Sequence, residues 1–310
     1  MIKSINGYRG LSFKQNLHPL DVKYKNALIK GVQQTYQFTP KIENLKSILA
    51  PCEFKELLKK LVPENFRLGS VKFRKEAELS DFENVINGKY KCNLHIHTNN
   101  SDGSMKIDEY LEQSKKYSDK VAQLNQNNEI PFFISSITDH NNIDGVKEVV
   151  ARISEEPEKY KNFKFIPGCE FMFNDENSGF KYTAFEAVGL GFNPFDKSLN
   201  KNLSRFNMID IIPKIKEFGG ILSYAHPVRF CQGNGIETKF IEYLKKIGIN
   251  GIESNYQYLD FEKDAEVLNL ILKIKKIAKE NNFFETGGTD THASNIFCFK
   301  AKKFIEELLK

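Results

Sequence analysis

The sequence predicts an α/β protein built as a (β/α) barrel. From residue 91 onward, short runs of apolar β-branched or aromatic residues alternate with longer segments of helical periodicity. This alternation is typical of βα units arranged around a parallel sheet. Histidines and carboxylates follow several of the runs, and barrels of this class build their sites at those strand ends. At 310 residues, the chain is long enough for one such barrel with an appendage.

Seven runs are the predicted strands of this barrel. They lie at 92–97, 132–138, 165–171, 184–190, 221–225, 251–254 and 284–287. Between them, helical periodicity predicts helices near 106–118, 144–155, 205–218, 237–247 and 261–281, several of which begin at an Asp or Ser/Thr cap. The resulting order of elements indicates a barrel domain over residues 91–310.

Residues 1–90 have a different pattern and form a predicted N-terminal appendage. A helix is expected over 42–61, interrupted by Pro51 and ending near Pro63. The segment holds 16 Lys/Arg against 9 Asp/Glu, while the rest of the chain holds 29 against 31. A solvated basic face explains this surplus most simply, and nucleic-acid binding is the alternative. No catalytic constellation falls in the segment, so we expect a mainly helical unit packed on the barrel wall.

Cysteine usage and hydropathy bear on the location of the protein. The five cysteines are odd in number, widely spaced and never in a C-x-x-C arrangement, which disfavours a disulfide framework or a zinc knuckle. A reducing compartment is the better fit. The start of the chain lacks an apolar leader and no stretch is long and apolar enough to span a bilayer. We therefore expect a cytoplasmic protein without membrane contact, and no obligate protein partner is evident.

Histidines clustered with carboxylates indicate a metal centre. Five of the six histidines lie in short motifs, whereas His18 stands apart before Pro19 and is not expected to be a ligand. Residues two apart on a strand face the same side, so His95 with His97 can act as a two-ligand unit. Imidazole and carboxylate are the ligands that hold Zn, Mn or Fe in water-activating sites. A single histidine is more often a surface or core residue, but the whole set is not explained in that way.

Five motifs, each after a predicted strand, together resemble the polymerase and histidinol phosphatase (PHP) superfamily over about residues 91–295. They are His95-Ile96-His97-Thr98 with Ser101-Asp102-Gly103, Ile137-Thr138-Asp139-His140-Asn141, Gly168-Cys169-Glu170, Ala225-His226-Pro227 and Gly288-Thr289-Asp290-Thr291-His292. The resemblance implies a distorted seven-stranded (β/α) barrel, a TIM-like fold, with a trinuclear metal site. Within the superfamily, the chain is most similar to stand-alone phosphoesterases that act on nucleoside 3′,5′-bisphosphates and short RNA 5′ ends, through 219–227, 248–253 and 286–290.

The sequence departs from those enzymes in two places. They carry a substrate-covering insertion before the Ala-His-Pro motif, whereas only 39 residues separate Glu186 from His226 here. They also have a metal-binding histidine where this chain has Glu186, ahead of a Gly-Leu-Gly-Phe stretch. The first difference leaves the substrate open and makes residues 1–90 a candidate for the missing wall. The second leaves the metal open, unless Glu186 is a solvent-facing strand residue.

Carried over by position, the resemblance implies nine metal ligands and up to three divalent ions (Mn, Fe or Zn). The first ion would be held by His95, His97, Glu170 and Asp290. Glu170 would bridge to a second ion completed by Glu186 and His226, and a third would be held by Asp102, His140 and His292. Asp139 is expected to orient a ligand imidazole through its other nitrogen. Glu253 is either part of the site or a salt bridge at the barrel mouth.

The implied chemistry is hydrolysis of phosphate esters, with Asp290, His226 and His292 as the predicted catalytic residues. A hydroxide bridging two ions would be the nucleophile, and His226 or His292 could protonate the leaving oxygen. Three ions outweigh the four ligand carboxylates, so the cavity would attract a phosphate. Arg229 is the candidate clamp on a second phosphate, unless it is a surface arginine.

The expected partner is therefore a small phosphorylated substrate, such as a nucleotide or a short oligonucleotide end. Three alternatives stay open: a histidinol-phosphate or sugar-phosphate phosphatase, an amidohydrolase-type hydrolase, and a non-catalytic PHP binding module. An amidohydrolase barrel also carries His-x-His on its first strand, but it does not account for 101–103 or 290–292. A binding module would have lost several ligands, and only one of the nine positions is altered here.

Overall fold

The computed structural model describes residues 18–65, 91–127, 130–174, 180, 184–203, 210–227, 236–256, 264–294 and 296. The helices are α1 Pro19–Tyr36, α2 Pro51–Asn65, α3 Ile107–Leu124, α4 Asp144–Glu155, α5 Lys197–Leu203, α6 Ile211–Glu217, α7 Thr238–Ile247 and α8 Asp264–Asn281, with a 3-10 helix at Ile42–Ser47. The strands are β1 Cys92–Asn93, β2 Phe133–Ser135, β3 Phe163–Phe165, β4 Gly168–Asn174, β5 Ala184–Leu190, β6 Ile221–Tyr224, β7 Gly251–Tyr256 and β8 Phe284–Gly288.

The strands form two sheets in a mixed α/β fold. One sheet is parallel, with the order β1-β2-β3, and the other has the order β4-β5-β6-β7-β8. Isolated bridges at Ile96–Thr291 and His140–Glu170 link the two sheets beyond the ends of their strands. The predicted seven-stranded barrel is not found, since the described strands number eight and lie in two sheets that do not close into one. The α/β class and the order of strands and helices are as predicted.

The eighth strand arises where one predicted run divides. The run at 165–171 contains Pro167, which has no backbone N–H to donate to a ladder. Before it, β3 pairs with β2, and Ile166 N donates to Ser135 O at 3.1 Å. After it, β4 pairs with β5 instead. The proline thus stands where the chain passes from one sheet to the other.

The second sheet is not parallel throughout, which corrects the prediction of a parallel sheet. β4 pairs antiparallel with β5, and β5 pairs antiparallel with β6. Only nine residues lie between Asn174 and Ala184, fewer than the dozen or so that a parallel crossover needs. β5 therefore returns beside β4 in the opposite direction, and parallel pairing resumes from β6 to β8.

The helices predicted between the strands from residue 106 onward lie close to their predicted positions, because an apolar face must be buried. α4 has the predicted bounds and buries Val146, Val149, Val150 and Ile153 at the spacing of one helix face. α3 starts within one residue of its prediction but runs two turns further, to Leu124. Of the helix predicted over 205–218, residues 211–217 are helical and 204–209 lie outside the described residues.

The described N-terminal residues pack into the same hydrophobic core as the sheets. α1, which the sequence analysis did not predict, begins at Pro19 after His18, whose Nδ1 accepts a hydrogen bond from Leu20 N at 3.2 Å. Pro51 begins α2 rather than interrupting a helix, and Pro63 lies within it. Tyr24, Leu28 and Phe54 are fully buried in the common core. The domain boundary at residue 90 stays a prediction, because 66–90 lie outside the described residues.

None of the helices in the described part of the chain combines the length and the apolar character needed to cross a bilayer.

Candidate metal centre

The structure brings all nine predicted ligands together where the two sheets meet. They come from strand ends and the loops that follow: His95 and His97 after β1, His140 after β2, Glu170 on β4, Glu186 on β5, His226 after β6, Asp290 and His292 after β8, and Asp102 from the loop before α3. They fall into three overlapping groups whose candidate ligand atoms lie within 4.8 Å of one another. We call them the inner group (His95, His97, Glu170, Asp290), the middle group (Glu170, Glu186, His226) and the outer group (Asp102, His140, His292), to which His97 is also close enough to contribute a donor atom.

The inner group is buried and tightly spaced. His95 Nε2 lies 3.2 Å from His97 Nε2 and 3.0 Å from Glu170 Oε2. Asp290 Oδ1 lies 3.0 Å from His97 Nε2 and 3.3 Å from His95 Nε2. All four residues are buried. Two imidazoles and two carboxylates therefore direct their donor atoms at one small volume.

The middle group shares Glu170 with the inner group. Glu170 Oε1 is 3.0 Å from His226 Nε2, while its Oε2 faces His95. Glu186 Oε2 completes the group at 3.1 Å from His226 Nε2. β5 runs against β4, so Glu186 lies near the start of its strand and still reaches the edge where the other ligands lie. The reversal of β5 is what makes a glutamate at this position available to the centre.

The outer group is the open side of the centre. Asp102 Oδ2 lies 3.2 Å from His292 Nε2 and 3.8 Å from His140 Nε2. The side chains of Asp102, His140 and His292 are 56%, 26% and 38% exposed. A molecule from solvent therefore meets these three residues before the inner group.

His97 lies beside both the inner and the outer group. A neutral imidazole has one nitrogen with a lone pair, so the ring serves one ion at a time. Its Nε2 is within 3.1 Å of Glu170 and Asp290, whereas its Nδ1 is 3.6 Å from Asp102 Oδ1. These distances place His97 in the inner group.

Glu253 is a further residue of the centre, which the sequence analysis left undecided. It lies on β7, is 2% exposed, and directs Oε1 at His95 Nδ1 at 3.0 Å. Its Oε2 accepts a hydrogen bond from His226 N at 2.8 Å. A carboxylate that takes the far nitrogen of an imidazole fixes its tautomer and orientation. A charged residue within an apolar strand is the signal that could have identified it.

Asp139 does not have the predicted role. The sequence predicts that Asp139 orients a ligand imidazole, but its carboxylate accepts hydrogen bonds from Thr98 N, Thr98 Oγ1 and Ser101 Oγ, each at 2.7 Å. These contacts hold the loop that carries Asp102. Asp139 therefore acts on the outer group through the loop backbone rather than on a histidine ring.

Two of the ligands lie in strained backbone conformations. His226 has φ +25° and Asp290 has φ +47°, a region that residues with a Cβ rarely adopt. Such conformations persist where the surrounding structure over-determines them, and they are common at functional sites. Next to Asp290, Gly288 passes so close to His95 that a Cβ would lie 2.4 Å from His95 N. A glycine is needed there for β8 to reach the centre beside β1.

The loop that carries Asp290 and His292 is held from two sides. Asn93 on β1 donates through Nδ2 to Thr289 Oγ1 at 3.0 Å and accepts from Thr289 N at 3.0 Å. Gln113 on α3 donates to Ser294 O at 2.7 Å and accepts from Ile296 N at 3.0 Å. Two neutral amides thus fix both ends of the loop.

Charge pairing shifts the acid–base equilibria of the inner and middle groups. Burial alone would lower the pKa of His97, but hydrogen bonds with Asp290 and Glu170 raise that pKa to about 9. Burial likewise opposes protonation of His226, but hydrogen bonds with Glu170 and Glu186 raise its pKa to about 9. Against its burial, the neighbouring His95, together with hydrogen bonds from His226 and other histidines, holds the pKa of Glu170 well below its ordinary value. Positive charge is therefore required between these carboxylates.

The donor set fits divalent ions. Once Glu253 accepts the Nδ1 hydrogen of His95, the lone pair on His95 Nε2 faces the oxygens of Glu170 and Asp290. Lone pairs facing lone pairs in a buried volume need a cation between them. The buried Nδ1 atoms of His97 and His140 also make no hydrogen bond with the described residues. Mixed imidazole and carboxylate donors suit Mn, Fe and Zn.

Arg229, the predicted phosphate clamp, lies outside the described residues. Its role stays a prediction.

Comparison with known proteins gives a distant structural likeness. No family model matches the chain, and no curated protein matches its sequence. Among solved structures, the chain is similar to a provisionally named metal-dependent phosphoesterase from Bifidobacterium adolescentis, with a TM-score of 0.46 and 14% identity. The match covers 65% of this chain and 87% of the other.

Proposed function

We propose that this protein is a metal-dependent phosphoesterase of the PHP type, with up to three divalent ions at the inner, middle and outer groups. The observation that carries the proposal is the convergence of the nine side chains into three overlapping groups of donor atoms. The ligands are those predicted from the sequence, and the described strands around them lie in two sheets rather than in the closed barrel that the sequence predicts.

Bound divalent ions would lower the pKa of water and stabilise charge on the phosphoryl oxygens. In the reaction, a water oxygen forms a bond to phosphorus, the bond from phosphorus to the leaving oxygen breaks, and a proton ends on the leaving group. The residues of the chain must therefore bind the phosphate, orient it and move that proton.

Charge limits how the centre attracts a phosphate. Glu253 adds a fifth carboxylate to the four of the predicted ligands. Three divalent ions bring six positive charges against these five, whereas two ions would leave the centre negative. The proposal therefore requires an ion in the outer group for a phosphate to bind there.

Of the two predicted proton donors, only His292 lies at the open side of the centre. His226 is 1% exposed and its Nε2 is held between Glu170 and Glu186. His292 lies at the open side, and its Nδ1 is 3.0 Å from Asp290 O. A leaving group that departs toward solvent passes His292, but an ion in the outer group would take its Nε2 while Nδ1 donates its hydrogen to Asp290 O. With all three ions bound, the proton for the leaving oxygen would therefore come from a water at the open side, beside His292.

Small nucleotides and short oligonucleotide ends are the proposed substrates, and histidinol phosphate or a sugar phosphate is the alternative. An amidohydrolase would use an inner and a middle group, but the outer group of Asp102, His140 and His292 has no role in that chemistry. The same group argues against a non-catalytic module, since every ligand position holds a residue that can bind an ion.

Metal analysis followed by a phosphate-release screen tests the proposal. The purified protein would be analysed for bound metal, stripped, and reloaded with Mn, Fe or Zn. Phosphate release would then be measured on mono- and bisphosphorylated nucleotides, histidinol phosphate and sugar phosphates, with hydrolysis of a cyclic amide as the competing assay. Metal-dependent release of phosphate is expected. Amide hydrolysis without phosphate release would replace the proposal with the amidohydrolase alternative.

A further inference from the structure

One face of the β4–β5 pair leads from the buried ligands out to solvent. Glu170, Met172 and Asn174 alternate along β4 and so point to the same face, which Glu186 and Ala184 continue on β5. Exposure increases along this face, from buried Glu170 through half-buried Glu186 to exposed Met172, Asn174 and Ala184. The opposite face is closed, because Phe171, Phe173 and Phe185 are buried in the core.

Met172 lies directly across from a predicted ligand. The register of the two strands pairs Met172 with Glu186, and side chains opposite each other on one face have their Cβ atoms about 5 Å apart. Met172 N also donates to Asn141 Oδ1 at 3.3 Å. Asn141 follows His140, the residue between the middle and outer groups. The methionine therefore borders the mouth of the centre on the side of the middle group.

Met172 differs from the other exposed residues of this face in having a large apolar side chain. It is 42% exposed, and on the β4–β5 pair, all of whose residues are described, it is the one large apolar side chain left open to solvent. Among the residues that the structure describes, the other exposed large apolar side chains lie on α1, the 3-10 helix, α3 and α8: Val22, Tyr36, Ile42, Leu124 and Leu272. Single exposed apolar residues are ordinary on helices. Met172 instead lies beside polar ligands, on a strand whose neighbouring side chains are buried. The simplest explanation of its exposure is that it forms part of a binding surface.

We infer that Met172 is the wall of a subsite that binds the organic part of the phosphate ester, and that the preferred leaving group is aromatic. The inference rests on the proposed function. A phosphate at the middle and outer groups directs its ester oxygen away from the carboxylates and toward the open mouth, which Met172 borders. A thioether makes favourable contacts with aromatic rings and adapts its shape to them.

Binding of two non-hydrolysable phosphonates tests the subsite apart from turnover. Calorimetry on the Mn-loaded full-length protein would compare phenylphosphonate with methylphosphonate, which carry the same charged group. We expect the wild type to prefer the phenyl compound and Met172→Ala to lose about threefold to tenfold of that preference. Met172→Leu should keep part of it, since the wall remains apolar. Leu124 is another exposed apolar residue, at the end of α3. Leu124→Ala is therefore the matched control and should leave the preference for the phenyl compound unchanged.

Kinetics on phenyl phosphate and glycerol 2-phosphate give the second readout. In Met172→Ala, KM for phenyl phosphate should rise while kcat and the KM for glycerol 2-phosphate stay near the wild-type values. An unchanged phenyl preference in Met172→Ala, with an unchanged melting temperature, would overturn the subsite and leave the phosphoesterase intact. If the metal-loaded wild type bound neither phosphonate and released no phosphate, the proposed function itself would be wrong, and the subsite with it.

Discussion

At the scale of single residues, Glu170 determines how the centre is organised. Its two oxygens face different groups, Oε2 toward His95 and His97 and Oε1 toward His226. A buried carboxylate is stable only when cations or hydrogen-bond donors satisfy both oxygens. Glu170 therefore couples the inner and middle groups, and the loss of a ligand in one group changes the other.

We expect Asp290→Asn and His97→Ala each to lower metal-dependent phosphate release by at least about 100-fold while the fold remains intact. Each variant removes a donor from the buried inner group, where Asp290 Oδ1 lies 3.0 Å from His97 Nε2. Phosphate release and metal content would be measured, with circular dichroism for the fold. The exposed carboxylate of Asp144 supplies a control, Asp144→Asn. Near wild-type turnover in either ligand variant would contradict the metal mechanism.

A second residue-scale prediction concerns the metal. Glu186 supplies a hard oxygen where the resemblance to PHP phosphoesterases predicts an imidazole, and hard donors suit Mn or Fe better than Zn. We expect Mn or Fe to support higher activity than Zn, and Glu186→His to shift the preference toward Zn and to lower KM by removing a negative charge. Metal-stripped protein would be titrated with each ion. Glu237→His adds an imidazole at an exposed position and serves as the control; if Glu186→His behaves in the same way, Glu186 does not bind an ion.

At the scale of elements, the centre depends on strands that meet from two sheets. β1 and β8 meet through Leu94 N to Gly287 O at 3.1 Å and Asp290 N to His95 O at 2.9 Å. β2 and β4 meet through Glu170 N to Thr138 O at 3.1 Å. These main-chain hydrogen bonds set the spacing of the ligands. Glu253 on β7 adds a side-chain link from His95 to His226.

Glu253→Gln tests that link. Glutamine keeps one acceptor and replaces the other with an NH₂ group, so it cannot accept both from His226 N and from His95 Nδ1. We expect metal affinity to fall about 10-fold to 100-fold. Ring ¹⁵N shifts of His95 should show that the neutral ring no longer holds one tautomer.

Glu285→Gln on the neighbouring strand β8 is the control for this prediction, because Glu285 bonds Ser254 rather than a ligand. Unchanged affinity and an unchanged His95 tautomer in Glu253→Gln would mean that Glu253 only fills space.

At the scale of the whole molecule, one hydrophobic core supports both the sheets and the N-terminal helices. Tyr24, Leu28, Phe54 and Leu58 are at most 2% exposed within it. Ile48 forms a parallel bridge with Phe165 at the end of β3, and Leu49 N donates to Phe165 O at 2.9 Å. The helices up to residue 65 therefore share the core, although the idea that residues 1–90 form a substrate wall stays a prediction.

A truncated chain that starts near Gly88 is accordingly expected not to fold. Each large buried side chain contributes about 1.5–3 kcal/mol, so the loss of the four named above is comparable to the total stability of a domain. Leu28→Ala in the full chain should cost about 2–5 kcal/mol, with exposed Lys30→Ala as the control. Denaturant unfolding measures both. A truncated chain that unfolds cooperatively would show that the rest of the chain folds independently of the N-terminal helices.

The metal-free protein should lose stability as pH rises from 6.5 to 9.5. The pKa values of His97 and His226 are raised to about 9 in the fold, against about 6.5 in an unfolded chain. The fold therefore binds more protons between these values, and its extra stability is lost as pH rises through the higher one. We expect Tm to fall by at least about 2 °C. In the metal-loaded protein the ions replace the protons, so the same scan should show a smaller change; equal slopes would contradict this account.

Local patterns in the sequence determined the class of the fold, and motifs that resemble a known superfamily predicted the set of ligands. Apolar runs and helical periodicity located most strands and helices, because burial of one face imposes a period that neighbouring residues reveal. The motifs from His95 to His292 contain the nine predicted ligands, whose side chains the structure brings together. Most of them follow parallel strand ends, which converge at one edge, whereas Glu186 depends on the reversal of β5.

Pairing between distant segments was decided only by the tertiary structure. The division of one run at Pro167, the reversal of β5 and the two separate sheets depend on which strands compete as neighbours, and such choices leave little trace in local sequence. The role of Asp139 and the double contact of Glu253 with His95 and His226 likewise depend on side chains more than 25 residues away. The sequence shows which residues carry a carboxylate. Which groups each carboxylate contacts depends on the packing around it.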